Sequence, residues 1–273
     1  MTTRTVGPRG VGEPRGAPPG AHAPAQRASK LAAAAEATCA NVILASLPQE
    51  LREEMVAHAT VLPLVQGDVV ERQGGPNRVF FPLSGMLTGV RTREDGTHYA
   101  YLQRGREGAV NAIGVARPEV NAGGCDLVVD VPGQALVLEV DYYRLTLEGS
   151  PALMRAVLSH ASHMISWREQ SADCPGHHAV RARTAYLLLL LRAHASGDTI
   201  DVTHARIAEV LGVRRQSISE ALGELKARRV ITLDRGRITI EDQAALWQQA
   251  CDCRGNVEIV RELQAAGRFE YTG

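Results

Sequence analysis

The stretch from Thr203 to Ile240 constrains the fold more than any other part of this chain. Thr203 precedes a run from His204 to Leu211 that ends on Gly212, a residue that takes the left-handed backbone at no steric cost and so closes helices. A second run, Arg214 to Lys226, places Ile218, Leu222 and Leu225 at helical spacing, which turns one apolar face toward the first helix. Val213, between the two, is expected to be buried in the turn. Val230 to Ile240 then reads as two β-branched strands around the basic turn Arg235-Gly236-Arg237. Helix, tight turn, helix and hairpin in this order predict a winged helix-turn-helix.

The residue types within that unit indicate its chemistry. The second helix opens with Arg214, Arg215, Gln216 and Ser217, where a recognition helix needs donors for base edges. Arginine pairs with guanine O6 and N7, and glutamine pairs with adenine. Arg215 and Gln216 are the expected base readers, with Ser217 and Ser219 as base or phosphate contacts. Thr203, Arg214, Arg235 and Arg237 are expected on the phosphate backbone, which fixes position without reading sequence. Two helices with a glycine turn also occur in helical bundles; the Arg-Gln-Ser cluster and the basic hairpin are what favour DNA. Charge agrees. The whole chain has zero formal net charge, but His177 to Ile240 carries eleven Arg and Lys against six Asp and Glu. A neutral protein with one basic segment suits contact with phosphates through one domain.

Upstream the texture changes twice. Residues 1–37, rich in Gly, Pro, Ala and Arg, cannot bury enough apolar surface to offset ordering and are expected to form a disordered tail. They carry no signal-peptide pattern, and the longest aliphatic run, Leu187 to Leu191, is too short to span a bilayer. A short amphipathic helix is expected over Asn41 to Ala57. From Val61 to Val140 the chain alternates short β-prone runs with turn signals at Gln66-Gly67-Asp68, Gly74-Gly75-Pro76, Glu94-Asp95-Gly96 and Pro132-Gly133, which predicts an all-β sandwich or barrel-like roll. Asp141 to Glu148 reads as a short helix. Ser150-Pro151 then supplies an N-cap and a first-turn proline to a helix running to about Ala172, with Leu153, Val157, Leu158, Ala161, Met164, Ile165 and Trp167 along an apolar stripe. Cys174-Pro175-Gly176 stops it, a helix from His177 to about His194 follows, and a linker reaches Asp201.

In combination these motifs resemble the Crp/Fnr family of regulators over residues ~41–250. The roll carries Gly67-Asp68-Val69-Val70, Phe81-Pro82-Leu83-Ser84-Gly85, Asp95-Gly96 and Gly105-Arg106-Glu107-Gly108 where family members carry similar glycine turns. The C-terminal part follows the family's helix-turn-helix pattern at Ile207-Ala208, Leu211-Gly212-Val213, Arg215, Ser217-Ile218-Ser219 and Leu222. The resemblance implies an α+β chain: a β-roll (double-stranded β-helix, jelly-roll-like) sensor domain over 38–149, a dimerisation helix over 150–174, a winged helix-turn-helix over 175–250 and a C-terminal tail over 251–273. It also implies a homodimer on a two-fold symmetric operator in double-stranded DNA, with RNA polymerase an expected partner; a cytoplasmic location and no membrane partner are expected from the scattered cysteines and the short aliphatic runs. The expected subunit interface is Leu153, Val157, Ala161, Met164 and Ile165. Gln216 and Glu220 replace residues common in the family's recognition helix, so the operator should differ from the family's familiar consensus.

The signal sensed is less determined. Members that bind cyclic nucleotides hold the phosphate with an Arg-Ser pair; Cys125-Asp126 falls there, and an aspartate would repel a phosphate. Arg104 and Arg106 could serve another anion, but as loop arginines they are expected to be exposed. Iron–sulfur members cluster cysteines near the N-terminus, where only Cys39 lies. His160, His163, His177 and His178 could ligate haem, although helical histidines are more often surface groups. No cofactor is therefore expected. The five scattered cysteines suit a reducing compartment rather than a disulfide framework. Cys251 and Cys253 form a close pair able to sense oxidants; two ligands alone do not make a structural zinc site, and Cys125 and Cys174 are too isolated in sequence to join them. Phosphate loops, nucleophile elbows and metalloprotease helices do not occur, so an enzyme is not expected. The competing reading is a ligand- or partner-binding roll whose helical domain does not bind DNA.

Overall fold

The computed structural model describes residues 39–75, 78–94, 96, 98–114 and 125–253. The tail expected over 1–37, and residues 254–273 of the one expected over 251–273, lie outside the described residues. The chain enters through α1 (Val42–Ala45) and α2 (Gln49–Ala57). The single helix expected here is broken at Pro48, which lacks an N–H and disfavours helical backbone at the residue before it. Asn41 anchors this entry. Its Oδ1 accepts from the N–H groups of Ile43 and Leu44, and its Nδ2 donates to the carbonyls of Pro82 (3.0 Å) and Gly108 (2.8 Å).

The roll follows as β1 (Thr60–Leu64), β2 (Val69–Glu71), β3 (Val79–Thr92), β4 (His98–Arg104) and β5 (Asp126–Leu138). All pairings are antiparallel, in the order β1-β5-β3-β4 with β2 also on β5. Two expected turns are bends instead. The runs Val79–Phe81 and Met86–Arg91 are one strand, and so are the runs on either side of Pro132-Gly133. Gly85 (φ +74°) and Gly133 face each other where the long strands cross, and the register shifts there. A Cβ on Gly133 would lie 2.4 Å from the Ser84 carbonyl carbon, and one on Gly85 would lie 2.5 Å from the Val131 oxygen. The glycines let the two strands bend in contact.

Three helices carry the chain away from the roll: α3 (Val140–Gly149), α4 (Pro151–Ser171) and the single turn α5 (Cys174–His177). The Ser150 hydroxyl accepts from the Leu153 N–H at 3.2 Å, capping α4 as its sequence predicts. The use of its apolar stripe differs from expectation. Leu153 and Val157, expected at a subunit interface, are buried in the chain's own core with Phe81, Leu136 and Tyr143, which leaves them almost no surface for a second chain. Ala161 and Met164 are half-buried. The apolar side chains that α4 exposes are Met154, Leu158 and Ile165, the last two at 57% and 59% exposure. A stripe spaced for one partner is thus shared between the roll and the outer face.

The remaining elements are α6 (Val180–His194), β6 (Thr199–Asp201), α7 (His204–Leu211), α8 (Arg215–Ala227), β7 (Ile231–Asp234), β8 (Arg237–Ile240) and α9 (Gln243–Gln249). The stretch read as a linker contains β6, which pairs with β8 and extends the hairpin to three strands. Leu187 to Leu191 are all buried, and α6 packs against β3 and β5 of the roll as well as against α8 and α9. One apolar cluster accordingly joins Met86 and Val131 of the roll to Ile207, Leu222, Leu225 and Leu246. Among the described residues no helix is long and apolar enough to cross a membrane.

Candidate nucleic-acid interface

The geometry of the interface starts from its caps. Thr203 Oγ1 accepts from the Arg206 N–H at 3.1 Å and starts α7. Gly212, at φ +64°, closes it and sends the chain into α8. Val213 is half-buried rather than fully buried; its N–H donates to the Ala208 carbonyl at 3.0 Å, fixing the turn. Ile218, Ala221, Leu222 and Leu225 of α8 are buried together with Ile207 and Ala208 of α7. With that face covered, the opposite face of α8 carries exposed Arg214, Arg215, Gln216, Ser219 and Glu220, and Ser217 is half-buried. Arg214 is the N-cap with extended backbone, and the first turn of α8 holds no acidic residue. Cationic side chains and the positive end of the helix therefore stand at the same place, which favours an anion.

Internal contacts hold several of these side chains. Ser219 Oγ lies 3.0 Å from His204 Nδ1 and donates to the Arg215 carbonyl at 3.2 Å, tying the two helices together. Gln216 Nε2 donates to Glu220 Oε1 at 3.0 Å, four residues on, so its amide must give up or share this bond to read a base. The hairpin turns through Arg235-Gly236, with Gly236 at φ +75° and Asp234 paired opposite Arg237. Arg235 is exposed at the tip. Arg237 is also exposed, but its Nε is 3.0 Å from Asp201 Oδ1, which holds it along β6.

The same unit has a second, inward-facing set of charges that sequence reading did not single out. Arg206 of α7 points to the roll, with Nε 2.6 Å from Asp130 Oδ1 and an NH group 2.9 Å from Glu209 Oε2. Asp130 also accepts from the Thr88 hydroxyl. Gln66 Nε2 donates to the Asp201 carbonyl. Beside them, His194 Nε2 lies 3.4 Å from Glu107 Oε2, both side chains almost fully buried. Glu107 is held below the usual carboxylate range by His194, the Gly105 N–H and Arg104, which together outweigh its burial. Burial pushes His194 down, against the pull of the Glu107 carboxylate.

The residues expected to meet an effector are placed differently from expectation. Arg104 and Arg106 are each only 5% exposed, not surface loop groups. Burial lowers the Arg104 guanidinium to about 10. The glycines between and after them make room for rings: a Cβ on Gly105 would lie 2.1 Å from His194 Cε1, and one on Gly108 2.2 Å from His160 Cε1. Burial, with Arg104 nearby, pushes His160 down to about 4. Cys125 is buried, and burial raises its thiol. Asp126 beside it turns outward to Arg72 (3.2 Å) and the Gln73 N–H (2.8 Å).

Cys251 and Cys253 lie at the end of the winged unit, both buried. The isolation of Cys174 in sequence does not persist in the fold: its sulfur is 3.9 Å from that of Cys251. His178 Nε2 is 3.1 Å from Asp252 Oδ1.

A two-helix unit with a glycine turn, an exposed basic first turn and a three-stranded wing defines a winged helix-turn-helix DNA-binding protein. Residues 182–249 match the family model of the Crp-like helix-turn-helix domain. The global nitrogen regulator of Synechococcus elongatus is 24% identical over 192 residues, covering 67% of this chain and 86% of that protein. A putative cAMP-binding regulatory protein from Silicibacter pomeroyi has a similar fold, with a TM-score of 0.58 at 17% identity, over 79% of this chain and 98% of that one. A putative Crp/Fnr transcriptional regulator from Eubacterium rectale gives 0.56 at 16% identity, over 74% and 94%. The chain is a DNA-binding transcription regulator with a Crp-like helix-turn-helix domain, and the curated relatives it matches are transcription regulators.

Proposed function

We propose that this regulator is sequence-specific and acts as a homodimer on a two-fold symmetric operator in the cytoplasm. The observation that carries the reading is the exposed Arg214-Arg215-Gln216 turn at the start of α8, backed by the exposed Arg235 and Arg237 of the wing. In this reading Arg215 and Gln216 reach base edges, Ser217 and Ser219 contact bases or phosphates, and Thr203, Arg214, Arg235 and Arg237 grip the backbone. Dimerisation uses the outer face of α4, where Met154, Leu158 and Ile165 stand exposed with Ala161 and Met164 beside them. Dimeric helix-turn-helix proteins place their two recognition helices about 34–36 Å apart, one turn of DNA. The roll holds the pair together and passes its signal through the contacts around Asp130, and RNA polymerase is the partner at the promoter.

Selection of duplexes from a random pool tests the reading. The wild type should enrich a two-fold symmetric site, and Arg215→Ala should lose that enrichment. Failure of the wild type to enrich any site, under reducing and oxidising conditions alike, would overturn sequence-specific binding. Leu158→Asp with Ile165→Asp should give a monomer in sedimentation; a variant that stays dimeric would remove α4 as the interface.

A further inference from the structure

We propose that Cys174, His178, Cys251 and Cys253 form a tetrahedral zinc site that clasps the end of the winged unit to the turn following α4. The sulfurs of Cys174, Cys251 and Cys253 all lie within 4.8 Å of one another, and His178 comes that close to Cys253 and Asp252, so its ring has to move in toward the other two sulfurs to complete the set. The 3.9 Å between the Cys174 and Cys251 sulfurs is nearly twice a disulfide bond of about 2.05 Å. It matches the separation of about 3.8 Å that two thiolates take across a tetrahedral zinc with bonds of about 2.3 Å. Three thiolates and an imidazole are a complete, closed ligand set for structural zinc, and soft sulfur donors exclude magnesium and calcium. Asp252, already on the His178 ring at 3.1 Å, is the carboxylate that orients the imidazole in such sites.

The surroundings fit a fixed site. Cys251 and Cys253 are buried, and the Cys251 N–H donates to the Ala182 carbonyl at 3.2 Å, which fastens this segment to the first turn of α6. Cys174 and His178 flank α5, the turn that leads from α4 into α6. Zinc bound here cross-links residues 77 positions apart and fixes the winged unit to the base of the helix that carries the proposed dimer face.

The test uses the full chain, purified under reducing conditions with zinc supplied. Elemental analysis should find about one zinc per chain, and cobalt(II) exchanged into the site should show tetrahedral ligand-field bands with thiolate-to-metal charge transfer. Cys251→Ser with Cys253→Ser should abolish both, whereas Cys39→Ser and Cys125→Ser should leave them unchanged. Asp252→Asn should weaken zinc roughly tenfold or more, as loss of an orienting partner does. Should the double serine variant not fold, chelation of the wild type reads the same question: zinc should leave with a fall in melting temperature that zinc alone restores. Absence of stoichiometric zinc, cobalt spectra without thiolate character, or a Cys174–Cys251 disulfide in the reduced preparation would overturn the site. None of these readouts uses DNA, so failure of the operator selection and failure of the zinc site are separate results.

Discussion

Replacing Arg206 with methionine should destabilise the protein far more than the loss of a surface charge. The side chain is 18% exposed and its partner Asp130 is 7% exposed. With the guanidinium gone, Asp130 keeps the Thr88 hydroxyl but no cation, and a carboxylate left uncompensated in a buried site typically costs about 3–5 kcal/mol. An exposed pair would cost at most about 1 kcal/mol. Glu209, at 2.9 Å from the same guanidinium, also loses its partner, but it is partly solvated and adds little. The expectation for Arg206→Met is thus a loss of about 3 kcal/mol. Asp130→Leu added to Arg206→Met should restore most of it, because the unpaired charge is removed. Urea unfolding of the two single variants and the double variant gives the coupling energy directly. A loss below about 0.5 kcal/mol, or effects that simply add, would show that the pair is solvated and that α7 is not bound to the roll through it.

Acid should weaken the fold before its carboxylates titrate. His160 is held to about 4 when folded and returns to about 6.5 when unfolded, so the unfolded chain binds the extra proton. The stability this supplies is complete above about pH 6.5 and is lost as pH falls toward 4, amounting to about 2 kcal/mol between pH 7 and pH 5. His194, also held down, adds to the loss in the same direction. Denaturation midpoints against pH should show this slope, and His160→Gln should flatten it. Gly108→Ala should cost about 1–3 kcal/mol by driving a methyl into the His160 ring, and His160→Ala in the same chain should relieve much of that cost in thermal melts. Operator affinity should fall steeply with salt, and Arg235→Ala should lower the logarithmic slope by about one without changing the selected sequence.

What could be read from the chain divides by how local the determinants are. The helix-turn-helix was legible because its signals sit within a few residues of what they control: Thr203 caps its own helix, and Gly212 closes it. The α4 cap at Ser150-Pro151 was legible for the same reason. Gly85 and Gly133 were misread as turn markers because their requirement comes from each other, 48 positions apart, rather than from their neighbours. The three residues of β6 are too short to show an alternation, and only their pairing with β8 makes them a strand. Periodicity located the apolar stripe of α4 but could not assign Leu153 and Val157 to the roll, since a stripe does not name what covers it. Arg206 and Cys174 depend on partners 76 and 77 positions away.

The leucines of α6 have a consequence for engineering. A helix packed against the roll on one side and the winged unit on the other belongs to neither alone. A chimera that joins the winged unit to a foreign sensor near residue 178 would present Leu187 to Leu191 to a surface not shaped for them, and one cut after His194 would strip α8 and α9 of the floor they rest on. Domain exchange between this regulator and others should yield insoluble or inactive hybrids unless Met86, Val131 and their strands travel with the helix. The chain reads along its length as roll followed by reader, but it folds around a helix that both share.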